Sequence, residues 1–406
     1  MLLTFKVSNF KGFASEQILD LVATSKSEFS ELLRPITSQI SVNKNACIIG
    51  PNGSGKSQIL DSIYRAARCI KNNELKELSK PFILDDNSAS SPTSVELLLF
   101  SKKLDIFINY SFSVFKGLVV NESLQVKNSQ KSSKLKTIFS REGDEISFSS
   151  GYKEQANLIT GNITQKSLVA SYGAGIKLKE IQEIYYWAER TFILNTSTIN
   201  NQGPYLINSL YDYSFSTKEE EKAFVSFNQK LLKETTKFLN SFDIPIREFQ
   251  LKENLKGEKY LTFIPKSNSK EDIVLTFSEA KDYFSEGTFN TIIITLLVGF
   301  LSLGNTTLLL DEIDGPLHHK LTIALLDFIR ATHQKNNSQF IISSHDIMVL
   351  DHSFRRDAIF AISKNENYHS EIRRASEFSL RKDAKMSIKY LQNEFGSLPN
   401  ILESYT

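Results

Sequence analysis

Hydrophobic positions change their period several times along this chain, and each change marks an element. Leu3, Phe5 and Val7 alternate with polar neighbours before Asn9-Phe10-Lys11-Gly12-Phe13, which predicts a first strand ending in a turn. A second strand is predicted at Ala46 to Ile49. A glycine-rich segment follows it and leads into Ile59, Leu60, Ile63, Ala67 and Ile70, whose spacing is helical. Apolar runs at Val95 to Phe100 and Ile106 to Phe115, set between Asn, Ser and Lys clusters, predict an antiparallel β subdomain. Residues from about 151 to 245 read mainly as helix, with Ser216 to Glu219 at capping-box spacing ahead of Phe224, Phe227, Leu231 and Phe238. From Tyr260 onward strand and helix alternate, through Leu308 to Leu310 and Phe340 to Ser343, as in a largely parallel sheet.

The most apolar run, Thr291 to Leu303, is about 13 residues against the roughly 20 that cross a bilayer, so it predicts a buried helix and no membrane span. No heptad repeat is sustained over several turns, which excludes a long coiled coil. The expected organisation is an α/β fold in three stretches. Residues 1–150 carry the glycine loop and the β subdomain, 151–250 form a helical insertion, and 251–406 complete the fold.

Composition narrows the class without choosing a function. With 41% hydrophobic and 23% charged residues the chain can build a large core, and disorder is excluded for its bulk. Lys and Arg total 48 against 46 Asp and Glu, so the net charge of +2 gives no sign of a nucleic-acid surface, although local patches are compatible with it. The two cysteines, Cys47 and Cys69, have neither metal nor disulfide spacing. With an N-terminus that lacks the pattern of a signal peptide, a reducing cytoplasm is the expected location.

Four segments carry candidate chemistry. Gly50-Pro51-Asn52-Gly53-Ser54-Gly55-Lys56-Ser57 satisfies GxxxxGK[ST], a pattern that a chain this long matches by chance in about 1–2% of cases. Its glycines let backbone N–H groups curl around phosphate oxygens at a helix N-terminus. Lys56 is placed to reach the β and γ phosphates and Ser57 to ligate Mg²⁺, so the loop points to ATP with Mg²⁺. Asp311, at the end of the apolar strand in Thr307 to Asp314, is the expected second Mg²⁺ contact, and Glu312 is placed to polarise the attacking water. Phe284-Ser285-Glu286-Gly287-Thr288 precedes the apolar helix, where Ser285 and Gly287 read as γ-phosphate donors or as an ordinary helix cap. His345 ends the strand in Gln339 to Asp346, where a lone histidine is more often structural, but its place after the other three segments points to a contact with the γ-phosphate.

In this order the four segments resemble the ATP-binding-cassette ATPases of the RecF, SMC and OLD kind, grouped with bacterial AAA-family ATPases. Ser8 to Phe13 looks like the opening of that group, whose first turn lies near the nucleotide. The resemblance implies a homodimer or larger assembly in which Ser285 and Gly287 complete the opposite subunit's site. His318, where transporters carry Asp in Gly315-Pro316-Leu317-His318, looks OLD-like, and Pro81 to Asn87 offers no Gln for a Q-loop. Arg355-Arg356-Asp357 and Tyr390 to Ile401 look like the RloA or AbiLi type of abortive-infection ATPase, to which the PARIS ATPase AriA is related in kind. Those are heads encoded beside an effector such as a Toprim-like nuclease. The alternative is a RecF-like DNA repair or recombination ATPase that clamps DNA.

Overall fold

The computed structural model describes residues 1–398 except 25–28, 131–132, 160, 176, 212–216, 269–270, 302–303, 313, 316, 334–336 and 379–383. The elements in chain order begin with β1 (Leu2–Ser8), β2 (Gln17–Asp20), β3 (Leu33–Pro35), β4 (Ser41–Asn43), β5 (Asn45–Ile49) and α1 (Lys56–Asn72). Two short helices, α2 (Leu75–Leu78) and α3 (Asp86–Ala89), lead to β6 (Thr93–Ser101), β7 (Ile106–Phe115), β8 (Leu118–Asn128), β9 (Lys136–Glu142) and β10 (Glu145–Phe148). Then come α4 (Lys153–Ile159), α5 (Lys179–Glu189), β11 (Thr191–Asn195), α6 (Thr196–Tyr211) and α7 (Lys218–Asn240). The strands β12 (Ile246–Glu253), β13 (Lys259–Pro265) and β14 (Leu275–Thr276) precede α8 (Phe277–Tyr283) and α9 (Glu286–Leu301). The chain continues with β15 (Thr307–Asp311), α10 (His319–His333), β16 (Gln339–Ser343), α11 (Val349–Ser353), β17 (Ile359–Lys364), β18 (Ser370–Arg374) and α12 (Met386–Leu391).

Two compact units result, one of Met1–Ile193, Asn305–Asp311 and Asn337–Thr406, the other of Leu194–Gly304 and Glu312–Asn336. The first holds two sheets. One is antiparallel throughout, in the order β10-β9-β8-β7-β6-β1-β2. The other runs β11-β15-β16-β5-β17-β18, with β15, β16, β5 and β17 mutually parallel and β18 antiparallel at its edge. Parallel strands covered on both faces are nearly continuous apolar runs, and all five residues of β5 are buried, its one polar side chain, Asn45, donating to Ser353 O at 3.1 Å. Between the sheets α1 buries Ile59, Leu60, Ile63 and Ile70 in one apolar cluster with Ile181 and Ile184 of α5. Each such side chain contributes about 1.5–3 kcal/mol, which holds α1 against α5 and against β15 and β16.

Charge is buried at two points of this unit. Glu122 and Arg141 pair at 3.3 Å with both side chains 0% exposed. The carboxylate also accepts from Tyr110 Oη at 2.7 Å and from the N–H groups of Val169 and Ala170, at 3.0 and 3.2 Å. Burial pushes the Glu122 carboxyl up, and these four donors keep its oxygens satisfied. The second cluster centres on Asp357, which accepts from Arg355 Nε at 2.9 Å and from Thr24 N at 2.7 Å, with Arg374 Nε donating to its carbonyl at 2.6 Å.

In the second unit α9 is apolar almost all round and buries every residue from Phe289 to Gly299, packed against α6, α7, α8 and α10. The predicted buried helix is therefore present, starting five residues before the apolar run. A three-stranded sheet, β12-β13-β14, lies in the same unit.

Sequence periodicity missed several strands. Three, β2, β3 and β4, lie between the predicted first and second strands, and each has only three or four residues, too few to display a period. Within the stretch read as helical, β11 follows α5 with no Gly or Pro between them, and α4 and α5 pack in the first unit while α6 and α7 belong to the second. Ser216 of the expected capping box lies outside the described residues. A capping box does form at Thr276 and Glu279, where Glu279 N donates to Thr276 Oγ1 at 3.3 Å and Thr276 N to Glu279 at 2.8 Å.

Burial opposes ionisation of Asp357, yet the hydrogen bonds from Arg355 and Thr24 prevail and hold its carboxyl below the ordinary carboxylate value. A carboxylate depressed in the folded state contributes stability above its unfolded value and loses it as pH falls through the folded one. Thermal midpoints measured from pH 6 down to about pH 3 are therefore expected to fall at the acid end, and the Asp357→Asn variant to start lower and fall less.

Candidate nucleotide site

Strand β5 lies between β16 and β17, with Ile48 opposite both Ser343 and Phe360, so the segment leaving it emerges at the C-terminal edge of the parallel strands. Ligands of open α/β sheets bind at that edge. The segment Gly50 to Gly55 turns sharply, with φ of 154°, 75° and 119° at Gly50, Gly53 and Gly55, and delivers the chain into α1 at Lys56. At Gly50 the absence of a side chain is compulsory. A Cβ there would lie 2.3 Å from the carbonyl oxygen of Ile362 on β17 and 2.8 Å from Ser54 Oγ.

Lys56 is buried and its Nζ donates back across the loop to the carbonyls of Gly50 and Pro51, at 2.9 and 3.2 Å. Ser54 is 2% exposed, and its Oγ has no hydrogen-bond partner among the described residues. The first turn of α1 adds N–H groups that no intrahelical carbonyl can reach. A buried cation, an unmatched hydroxyl and a helix N-terminus make a set that fits an anionic phosphate, and Asn52 and Gly53 leave it open to solvent.

The turn after β1 is tied to the same place. Gly12 N donates to Gln58 Oε1 at 2.9 Å, Ser370 N of β18 donates to Gly12 O at 2.8 Å, and Lys11 pairs with Asp61 of α1 at 2.5 Å. The segment Ser8 to Phe13 is thus clamped beside the loop by a glutamine two residues past Lys56.

Asp311 ends β15 in register with Ser343 of β16, and Ser343 Oγ donates to its carboxylate at 2.6 Å. Sequence reading passed over Ser343, although its place at the end of an apolar strand was visible in Phe340 to Ser343. Among the described residues no group of three His, Cys, Asp or Glu converges as a metal site. A Mg²⁺ held through Ser57 and Asp311 would therefore take its remaining ligands from phosphate and water, as that ion commonly does.

His345 lies two residues beyond β16 and is exposed, on a turn pinned where Ser344 N donates to Ile48 O at 3.1 Å. It shares a cavity of about 480 Å³ with Gly50, Pro51 and Asn52. Lys56, Ser57, Asp311 and His345 are all placed in the first unit, whereas Glu312, Ser285 and Gly287 belong to the second.

Glu312 follows Asp311 directly and is exposed, with φ 51°, a left-handed backbone that costs a non-glycine residue about 1–3 kcal/mol unless its surroundings enforce it. Its carbonyl accepts from Thr196 Oγ1 and from Gly315 N, both at 3.3 Å. Ser285 precedes α9 and caps it, its Oγ accepting from Thr288 N at 3.3 Å, while Gly287 sits in the first turn. Of the segment Gly315 to His318, Pro316 lies outside the described residues, and His318 opens α10, its carbonyl accepting from Leu321 N at 2.8 Å. Pro81 to Asn87 leads through a bend at Leu84 and Asp85 into the first two residues of α3, and Phe82 N donates to Asn9 Oδ1 at 2.9 Å.

Residues 24–371 match the family described as the RecF/RecN/SMC N terminal domain. The chain belongs to this family. It is an ABC-type ATPase family, and the architecture above is the head fold of that type, with its α/β core, antiparallel sheet and helices. Among solved structures, the SMC head bound to the C-terminal winged-helix domain of ScpA aligns with a TM-score of 0.53 at 14% identity, covering 92% of this chain and 97% of that one. The SMC head domain from Thermotoga maritima aligns at 0.43 and 14% identity over 92% and 98% of the two chains. The SMC head with coiled coil and joint from Pyrococcus yayanosii aligns at 0.47 and 11% identity over 97% and 99%. No curated protein sequence matches. No described helix of this SMC-type head is long and apolar enough to cross a membrane.

Replacing Gly50 by Ala forces its methyl against the Ile362 carbonyl, where neither strand can yield. The Gly50→Ala variant is expected to lose at least tenfold in affinity for a fluorescent ATP analogue, with unfolding at a lower temperature than the parent. Unchanged affinity would mean that the loop does not need its observed backbone.

Proposed function

We propose that this chain is a MgATP-hydrolysing switch, in which ATP closes two heads and hydrolysis reopens them. The observation that carries this reading is the pairing of Asp311 with Ser343 at the same strand edge that delivers the Lys56 loop, which puts a carboxylate and a phosphate cradle along one edge of the sheet. Lys56 and the first-turn N–H groups of α1 hold the phosphates. Asp311 and Ser57 would hold a Mg²⁺, which would supply positive charge to offset the charge that develops on the phosphates. Glu312 orients the attacking water and accepts its proton, and His345 donates to the γ-phosphate. Ser285 and Gly287 serve the nucleotide of the opposite head, which makes dimerisation part of the mechanism.

What the switch governs is the next step of the proposal. Resemblance to the RloA and AbiLi type assigns it to antiphage defence in the cytoplasm, with ATP-dependent closure controlling a separate effector of Toprim-like nuclease type. An SMC head bound to a domain of ScpA is a precedent for a head of this fold working through another protein. The effector must bind the open and closed states with different affinity for the switch to act on it.

Glu312→Gln keeps the shape of the side chain and removes the base. Turnover is expected to fall about 10²- to 10⁴-fold, ATP affinity to stay near the parental value, and a dimer to accumulate with ATP on size exclusion. Equal rates in parent and variant would sink the assignment of Glu312.

The resemblance to the RecF kind leaves a second reading, a repair or recombination ATPase that clamps DNA. A titration of duplex DNA with and without ATP, repeated across salt concentrations, separates the two. The switch reading expects no ATP-dependent affinity, whereas binding that appears with ATP and weakens steeply with salt would favour the clamp.

A further inference from the structure

The last described segment of the chain returns to the loop. Helix α12 is fastened to α11, the helix that follows the His345 turn, through Ser387, whose N–H donates to Asp351 at 3.1 Å and whose hydroxyl donates to the other oxygen of the same carboxylate. Phe395 beyond it is buried against Phe378, with ring centroids 5.2 Å apart. Held in this way, α12 presents Tyr390 to the cavity that Gly50, Pro51, Asn52, Ser344 and His345 also line. The tyrosine is 9% exposed and its hydroxyl is directed to Ser397 O at 3.4 Å, so what it offers the cavity is the ring.

We infer that Tyr390 is a positioning residue of the nucleotide site, forming the wall of the cavity that His345 shares and limiting the orientations open to that imidazole. This rests on the proposed reading of the loop and His345 as a nucleotide site. Three contributions converge here from distant parts of the chain: the loop after β5, the turn after β16 and the helix α12. The ring acts through packing. A histidine that shares a cavity with a fixed aromatic face has fewer orientations to search, so less is lost in holding it at a phosphate oxygen. The cradle itself, made by Lys56 and backbone N–H groups, does not involve Tyr390. Loss of the ring should therefore weaken turnover more than binding.

The test compares Tyr390→Phe, Tyr390→Ala and Ser387→Ala in the full chain, with ATP turnover, KM and affinity for a fluorescent ATP analogue measured on each. Tyr390→Phe is expected to stay within about twofold of the parent in kcat. Tyr390→Ala is expected to lower kcat about tenfold or more, as displacement of a positioned group by about 1 Å can do, with KM changed less than threefold. Ser387→Ala, which loosens α12 without touching the cavity, is expected to lower kcat in the same direction by a smaller factor. It also carries the test should Tyr390→Ala fail to fold. Parental kcat in Tyr390→Ala, or in Ser387→Ala if the alanine at 390 does not fold, overturns the inference, and so does a fall in affinity as large as the fall in kcat. A parent chain that binds no ATP would instead overturn the reading of the site itself.

Discussion

The close approach of Gly50 to the Ile362 carbonyl is the contact around which the first unit is arranged. Strand β5 can sit between β16 and β17 only if the chain leaves it without a side chain at this point, and a Cβ would come within 2.3 Å of that oxygen. Because β5 is fixed on both edges, the start of α1 is fixed as well, and the ends of β15 and β16 lie at known offsets from it. Asp311, Ser343 and the loop therefore owe their mutual placement to backbone pairing, which is stiffer than any side-chain contact among them.

Around this frame the buried charges act as fasteners between segments far apart in sequence. Asp357 binds Thr24 on one side and Arg355 on the other, while the Arg374 side chain reaches back to the carbonyls of Asp357 and Val22. Glu122 gathers the backbone of Val169 and Ala170 onto the antiparallel sheet. Full burial makes such groups expensive to strand without a partner, so each acts as a check on correct assembly more than as a source of net stability.

Much of the head was legible in the sequence, for a physical reason. Parallel strands buried on both faces are nearly continuous apolar runs, and Ala46 to Ile49, Leu308 to Leu310 and Phe340 to Ser343 displayed them. The antiparallel subdomain declared itself through short apolar runs between Asn, Ser and Lys clusters, which fall in β6 and β7. Strands of three or four residues carry too little pattern, and β11 hides behind a helix with no breaker between them. Within the site, residue types and spacing pointed to Gly50 to Ser57 and to Asp311, because phosphate and metal chemistry restrict which side chains can serve. Tyr390, Gln58 and the left-handed backbone of Glu312 left no such mark, since their relation to the loop exists only once distant segments have packed.

Helix α9 has a consequence for how the second unit handles force. Its residues from Phe289 to Gly299 are enclosed, and a Cβ on Gly299 would lie 2.6 Å from Leu231 Cδ1. A rod so tightly jacketed has no slack along its length, and each residue of axial slip would carry its end about 1.5 Å. Ser285 and Gly287 stand at that end. Their placement is thus set from the interior outward, and drift in the sequence of the jacket, at Leu231 or Gly299, would be read out at the exposed tip of the helix as a change of reach.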